Sequence, residues 1–271
     1  MTDVLALGLR SYRLMHPAAP NGALLLFLHG TGGTAAWAAD EAHLSDFTAA
    51  GYAVAVPDAL PPDPERPPKF LTNPQRWNDG SPTSPASTDD VGFLADVVAD
   101  AVRRTKAHRV LAAGFSNGAS MTFRLAAERS ALFAGIAPVA GYCWTTAVPK
   151  RPMPTLFLIG TADPLVPPRG GDVALPWGNR IVRRPPIAGQ LEAWARGLGC
   201  SPEPELLADE GGVQVERYPG PVAFHFVTVE GLGHHWPGGR GQLNARLGGP
   251  SASRANANRM LMQFWHDARL Q

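Results

Sequence analysis

Arg109-Val110-Leu111-Ala112-Ala113-Gly114-Phe115-Ser116-Asn117-Gly118 is the stretch on which the fold turns. Its first half is apolar on consecutive positions, as a strand is when both of its faces are covered. Residues 117–129 then carry apolar side chains at helical spacing. Between the two lies Gly114-x-Ser116-x-Gly118. A strand, a tight turn and a helix in that order leave the turn serine exposed at the tip, with glycines where the chain doubles back. The helix that follows points its partly positive N-terminus at the serine, which favours negative charge developing there.

Working outward, similar apolar runs recur at 23–28, 52–56, 133–139, 155–159 and 223–229. Helical patterns separate them at 34–50, 89–106, 187–198 and 253–267. In the helix at 89–106, Val91, Leu94 and Val98 form one stripe; Ser87 and Thr88 are expected to cap its start, and Arg103, Arg104 and Lys106 suit its end. Strand–helix alternation predicts a mostly parallel central sheet with helices on both faces, an α/β fold. No repeat or composition break divides residues 1–271, so one domain is expected. Three long loops, 57–86, 163–186 and 231–249, each follow a predicted strand. They are expected to gather at the carboxyl edge of the sheet, where open α/β sheets bind ligands.

Composition narrows the function classes. The chain has 271 residues, 45% hydrophobic and 17% charged, with 24 basic against 23 acidic side chains. Without a basic cluster, nucleic acid is not an expected partner. No apolar run approaches the roughly 18 residues of a membrane span, so no membrane partner is expected either. Asp3 precedes Arg10, the wrong order for a secretion signal, so the chain as given reads as cytoplasmic, or as secreted if a leader has been removed. Cys143 and Cys200 cannot make a disulfide framework; a single bridge between them is open to the sequence, but two reduced, packed thiols are the favoured reading.

A serine hydroxyl is a weak nucleophile. It needs an imidazole to take its proton and a carboxylate to fix that imidazole. With the serine at such a turn, the acid and then the base follow it along the chain. Among the later histidines, His225 lies within a strand and His266 within the last helix. His234 and His235 sit in Gly231-Leu232-Gly233-His234-His235-Trp236-Pro237-Gly238-Gly239, just past the final strand; adjacent side chains diverge, so only one of the two can reach Ser116. Asp163 ends the strand at 155–159, whereas Asp172, Glu192, Asp209 and Glu210 lie farther from strand ends. The two oxyanion donors are expected to be the amide of Asn117 and, from His29-Gly30-Thr31-Gly32-Gly33, that of Thr31, with Gly32 second. His29 precedes the serine and reads as a buried anchor of its loop. No metal or organic cofactor is called for. Trp77, Trp144, Trp177 and Trp236 are the candidates to line a substrate pocket.

With these residues in place, the chain resembles the polyhydroxybutyrate-depolymerase-like esterases of the α/β-hydrolase superfamily, relatives of feruloyl and acetylxylan esterases. The resemblance rests on Leu28-His29-Gly30-Thr31-Gly32-Gly33, the Ser116 motif, Gly160-Thr161-Ala162-Asp163-Pro164-Leu165-Val166-Pro167 and the Gly231–Gly239 motif. Arg76-Trp77-Asn78 and Asp89-Asp90-Val91-Gly92-Phe93 add to it. It selects His234 over His235. It implies an α/β-hydrolase fold and a serine esterase with the triad Ser116, His234 and Asp163. The substrate would be a small-molecule or oligomeric ester with a short-chain, hydroxyalkanoyl or aromatic acyl group. A peptidase or acyltransferase would share the same triad, and a non-catalytic binding protein the same scaffold.

Overall fold

A computed structural model describes residues 1–84, 88–177 and 180–268. Strands β1 (Thr2–Leu7) and β2 (Arg10–Met15) form an opening hairpin. β3 (Ala23–Leu28), α1 (Ala35–Glu41), α2 (Ser45–Ala49), β4 (Ala53–Pro57), α3 (Asp90–Thr105), β5 (Arg109–Phe115), α4 (Asn117–Glu128), β6 (Gly135–Val139) and β7 (Thr155–Gly160) follow. Next come a small hairpin, β8 (Gly171–Ala174) and β9 (Ile181–Arg184), and α5 (Ile187–Gly197). The chain continues through β10 (Glu205–Glu210), β11 (Val213–Arg217), β12 (Phe224–Val229), α6 (Ala245–Gly248) and α7 (Ala257–Asp267).

Among the described residues the main sheet runs β1-β2-β4-β3-β5-β6-β7-β12-β11-β10. Its centre, β4 through β12 in that order, is parallel. These six strands are the six apolar runs of the sequence. Along β3 the side chains alternate between two cores. Leu24, Leu26 and Leu28 pack with Leu94 of α3, Phe123 of α4 and Trp194 of α5. Leu25 and Phe27 pack with Phe47 of α2 and Leu261 and Trp265 of α7 on the opposite face. Period-two alternation on a sheet covered twice makes every position apolar.

The antiparallel additions at the edges, β1, β2, β10 and β11, were not among the expected strands. β1 alternates exposed with half-buried positions and β10 is exposed throughout, so neither carries a covered-strand signal. The expected long helix at 34–50 is two helices. Thr34 caps α1 through a hydrogen bond from the Trp37 amide, and His43, at φ 47°, breaks the run before α2. The cap of α3 is Asp89, whose carboxylate accepts the Gly92 amide at 2.8 Å, rather than Thr88; Ser87, the other expected cap, lies outside the described residues. Both cysteines are free thiols. Burial pushes the Cys143 thiol up to about 12. Among the described residues no helix is long and apolar enough to cross a membrane.

Candidate active site

Because β4, β3, β5, β6, β7 and β12 run the same way, their carboxyl ends share one rim, and the loops after β3, β4, β5, β7 and β12 meet there. Ser116 stands at the β5–α4 turn with φ 58° and ψ −121°, a backbone state that non-glycine residues adopt at a cost of about 1–3 kcal/mol. Its amide is fixed to the Val139 carbonyl at 2.9 Å. The turn is too tight for side chains beside it. A Cβ on Gly118 would run into the Leu28 carbonyl, and one on Gly114 into the Gly118 carbonyl.

His234 reaches Ser116 from the loop after β12. Its Nε2 lies 2.8 Å from Ser116 Oγ, and its Nδ1 lies 2.7 Å from Asp163 Oδ2. The other Asp163 oxygen accepts the amides of Leu165 at 2.9 Å and Val166 at 2.7 Å, which aims the carboxylate. Asp163 and His234 are both buried. The His234 amide donates to Gly248 at 2.6 Å, and its ring lies against Phe115. His235 turns away, its Nε2 3.2 Å from the Gly249 carbonyl. With Nδ1–H donating to Asp163, Nε2 can accept the serine proton.

The amides beside Ser116 divide clearly. Gly32 donates to Gln75 at 2.7 Å and Gly33 to Gly30 at 3.0 Å. Among the described residues, the Thr31 and Asn117 amides donate to no acceptor. His29 is buried; its Nδ1 donates to the Gly30 carbonyl, its Nε2 accepts the Ala59 amide at 3.1 Å, and burial holds its pKa below the usual value.

The tryptophans split. Trp144 and Trp177, both half-buried, line the space in front of Ser116. Trp236 does not, although it adjoins the histidines in sequence. It is buried edge-on against Phe27, 5.0 Å between ring centres, and donates to Asn258 at 3.0 Å. Trp77 borders the cleft but its ring is fully buried, and its indole N–H donates to the His29 carbonyl at 2.9 Å. Trp236 is corrected from an expected substrate contact to a packing residue; Trp77 borders the cleft as expected, with its ring held in the core.

The sequence reading missed how the Asn117 side chain is used. Its Oδ1 accepts the Trp77 amide at 2.6 Å and its Nδ2 donates to Asp79 at 2.7 Å, tying the β4–α3 loop to the serine turn. The sequence carried no signal for this tie, because Asn and Asp in a proline-rich loop are ordinarily exposed. Two spaces open from Ser116. One is an apolar pocket of about 430 Å³ bounded by Trp37, Phe70, Phe115, Leu243 and His234. The other is a polar cleft beneath Tyr142 and Trp144. Among the described residues no group of three or more His, Cys, Asp or Glu is placed to hold a metal ion.

Comparison with known proteins agrees with this architecture. No family model matches the chain. It is 34% identical over 253 residues to the protein named "Putative esterase NocK" of Nocardia uniformis subsp. tsuyamanensis, covering 85% of this chain and 71% of that one. It is 28% identical over 178 residues to feruloyl esterase B of Piromyces equi, covering 59% of this chain and 31% of that longer protein. In fold it matches an acetyl xylan esterase from Aspergillus awamori with a TM-score of 0.65, at 13% identity over 97% of this chain and 98% of the other. TT1662 from Thermus thermophilus matches with a TM-score of 0.53, at 19% identity over 98% and 97%. The chain belongs to a family of esterases and is a carboxylic ester hydrolase, and its fold is that of the α/β hydrolases.

Proposed function

We propose that Ser116, His234 and Asp163 hydrolyse a carboxylic ester in two steps through an acyl-enzyme. His234 Nε2 takes the Ser116 proton as Oγ attacks the carbonyl carbon. The Thr31 and Asn117 amides hold the oxyanion, and His234 returns the proton to the departing alcohol. Water, deprotonated by the same imidazole, then releases the acid and restores the serine. Asp163 holds the ring and stabilises its cationic form. The observation that carries this reading is the unbroken hydrogen-bond chain from Ser116 Oγ through His234 to Asp163. The apolar pocket suits an aromatic or short aliphatic group. The test is Ser116→Ala against 4-nitrophenyl butyrate. The expected loss in kcat is about a thousandfold or more, as for other triad serines, together with loss of fluorophosphonate labelling. Unchanged turnover in the folded variant would overturn the reading.

A further inference from the structure

Three arginines, Arg76, Arg180 and Arg184, line the polar cleft beside Ser116. Among the described residues none of them is within ion-pair reach of a carboxylate, whereas the neighbouring Arg183 pairs with Asp172 at 3.2 Å. Asp79 is the acidic group facing them from the same cleft. Its oxygens are taken up by Asn117, the Ser81 amide and the Ser84 hydroxyl. Arg184 lies over the rings of Tyr142 and Trp144, 5.2 and 5.6 Å from their centres. Its Nε is buried without a hydrogen-bond partner, and so is the hydroxyl of Tyr142. Tyr142 is buried and borders the same cleft. Guanidinium groups that line one concavity without a carboxylate partner, beside buried donors left without an acceptor, lack an anionic oxygen acceptor.

The two spaces at Ser116 also differ in their access to the base. His234 borders the apolar pocket and is not among the residues lining the arginine cleft. The alcohol must leave within reach of His234 Nε2, so it occupies the apolar pocket, and the acyl chain extends into the cleft. We infer that the enzyme acts on esters whose acyl group ends in a carboxylate, bound by Arg76 and Arg184 with the Tyr142 hydroxyl as a further donor. The inference rests on the serine-hydrolase reading above. Ester and water give a dicarboxylate and a neutral alcohol: the serine–acyl bond forms as the ester C–O bond breaks, and water then cleaves it.

The test compares 4-nitrophenyl hydrogen adipate and hydrogen suberate with the neutral 4-nitrophenyl hexanoate and octanoate. The wild-type enzyme is expected to favour the anionic esters in kcat/KM by about tenfold or more, the scale of one or two charge-assisted hydrogen bonds. Arg76→Gln and Arg184→Gln should each collapse that ratio, mainly through KM, and rising salt should shrink it. Hydrolysis of the neutral ester reports that each variant is folded. Equal handling of the two ester types by the wild type would overturn the inference, as would a proportional loss on both in the arginine variants. A preference for 4-carboxyphenyl hexanoate over the adipate ester would overturn the acyl-side placement. The serine reading fails separately, if Ser116→Ala retains hexanoate hydrolysis.

Discussion

The loop after β4 and the loop after β7 both reach over Ser116, but different forces hold them. Residues 57–84 are fastened by side chains. Asn73 holds the carbonyls of Asp63 and Arg66, Gln75 holds that of Ala59, and Asn78 that of Thr88. Asp90 accepts both the Asn78 amide and Arg10, each at 2.6 Å. The four anchors Asn73, Gln75, Asn78 and Asp90, with Trp77 and Asp79, are buried. The loop after β7 uses backbone pairing instead. Its β8–β9 hairpin is largely exposed and touches the first loop through Trp177, whose indole N–H donates to the Phe70 carbonyl at 2.7 Å. Buried side-chain networks fix a loop as firmly as secondary structure does, because each broken bond strands a buried polar group at about 1–3 kcal/mol. An exposed hairpin opens at lower cost. The first wall therefore sets the serine turn and the Thr31 amide, while the second shapes what is bound.

That contrast can be broken in order of expected effect. Asp79→Ala leaves Asn117 Nδ2 only its 3.2 Å bond to the Trp77 carbonyl and takes the acceptor from the Ser81 amide and the Ser84 hydroxyl, so kcat should fall by about tenfold, the size of a lost buried hydrogen bond, with KM little changed. Asp79→Asn, which keeps an acceptor, should recover part of it. Equal kcat in all three, by steady-state assay, would show that the first wall does not position the serine turn.

Next comes acid. His29, which ties the first wall to β3, has its pKa lowered by burial, so it stays neutral in the folded chain while the unfolded chain takes up a proton near pH 6.5. Below about pH 6.5 the unfolded state binds more protons, and stability falls as pH falls, by at most about 1.4 kcal/mol per pH unit. Urea midpoints measured from neutral to acid pH should show this slope, and His29→Gln should flatten it while lowering stability at neutral pH. A slope unchanged in the variant would remove His29 as its source.

The smallest effect belongs to the second wall. Trp177→Ala should raise KM for 4-nitrophenyl esters several-fold, with kcat and the thermal midpoint close to wild type. A fall in kcat instead would mean that the hairpin, too, bears on the chemistry.

The sheet centre was legible because a strand covered on both faces is apolar at every position, a signal no turn imitates. β3 was read to the residue, and the other central strands to within two residues at either end. The edges were not legible. β10, Glu-Leu-Leu-Ala-Asp-Glu, is exposed along its length and owes its state to pairing with β11 across the Gly211-Gly212 turn. Trp236 misled for a related reason. Its motif placed it beside the histidines, but whether a residue faces the cleft or the core depends on what packs behind it, here Phe27 and Asn258.

The sequence by itself determined the parallel sheet, the serine turn between β5 and α4, and a carboxylate and an imidazole carried past later strand ends. Those features are local, written in apolar runs and glycines within a few residues of one another. The choice of His234 over His235 and of Thr31 over Gly32 was already expected, but only the tertiary structure supplied the geometry behind both, and it alone decided that three arginines line one cleft without a carboxylate partner among the described residues. Each of these depends on a partner far along the chain: Gly248 for the histidine loop, Gln75 for Gly32, and the convergence of two loops for the arginines. Loop residues carry no period from which side-chain direction could be read, so long-range hydrogen bonds set it.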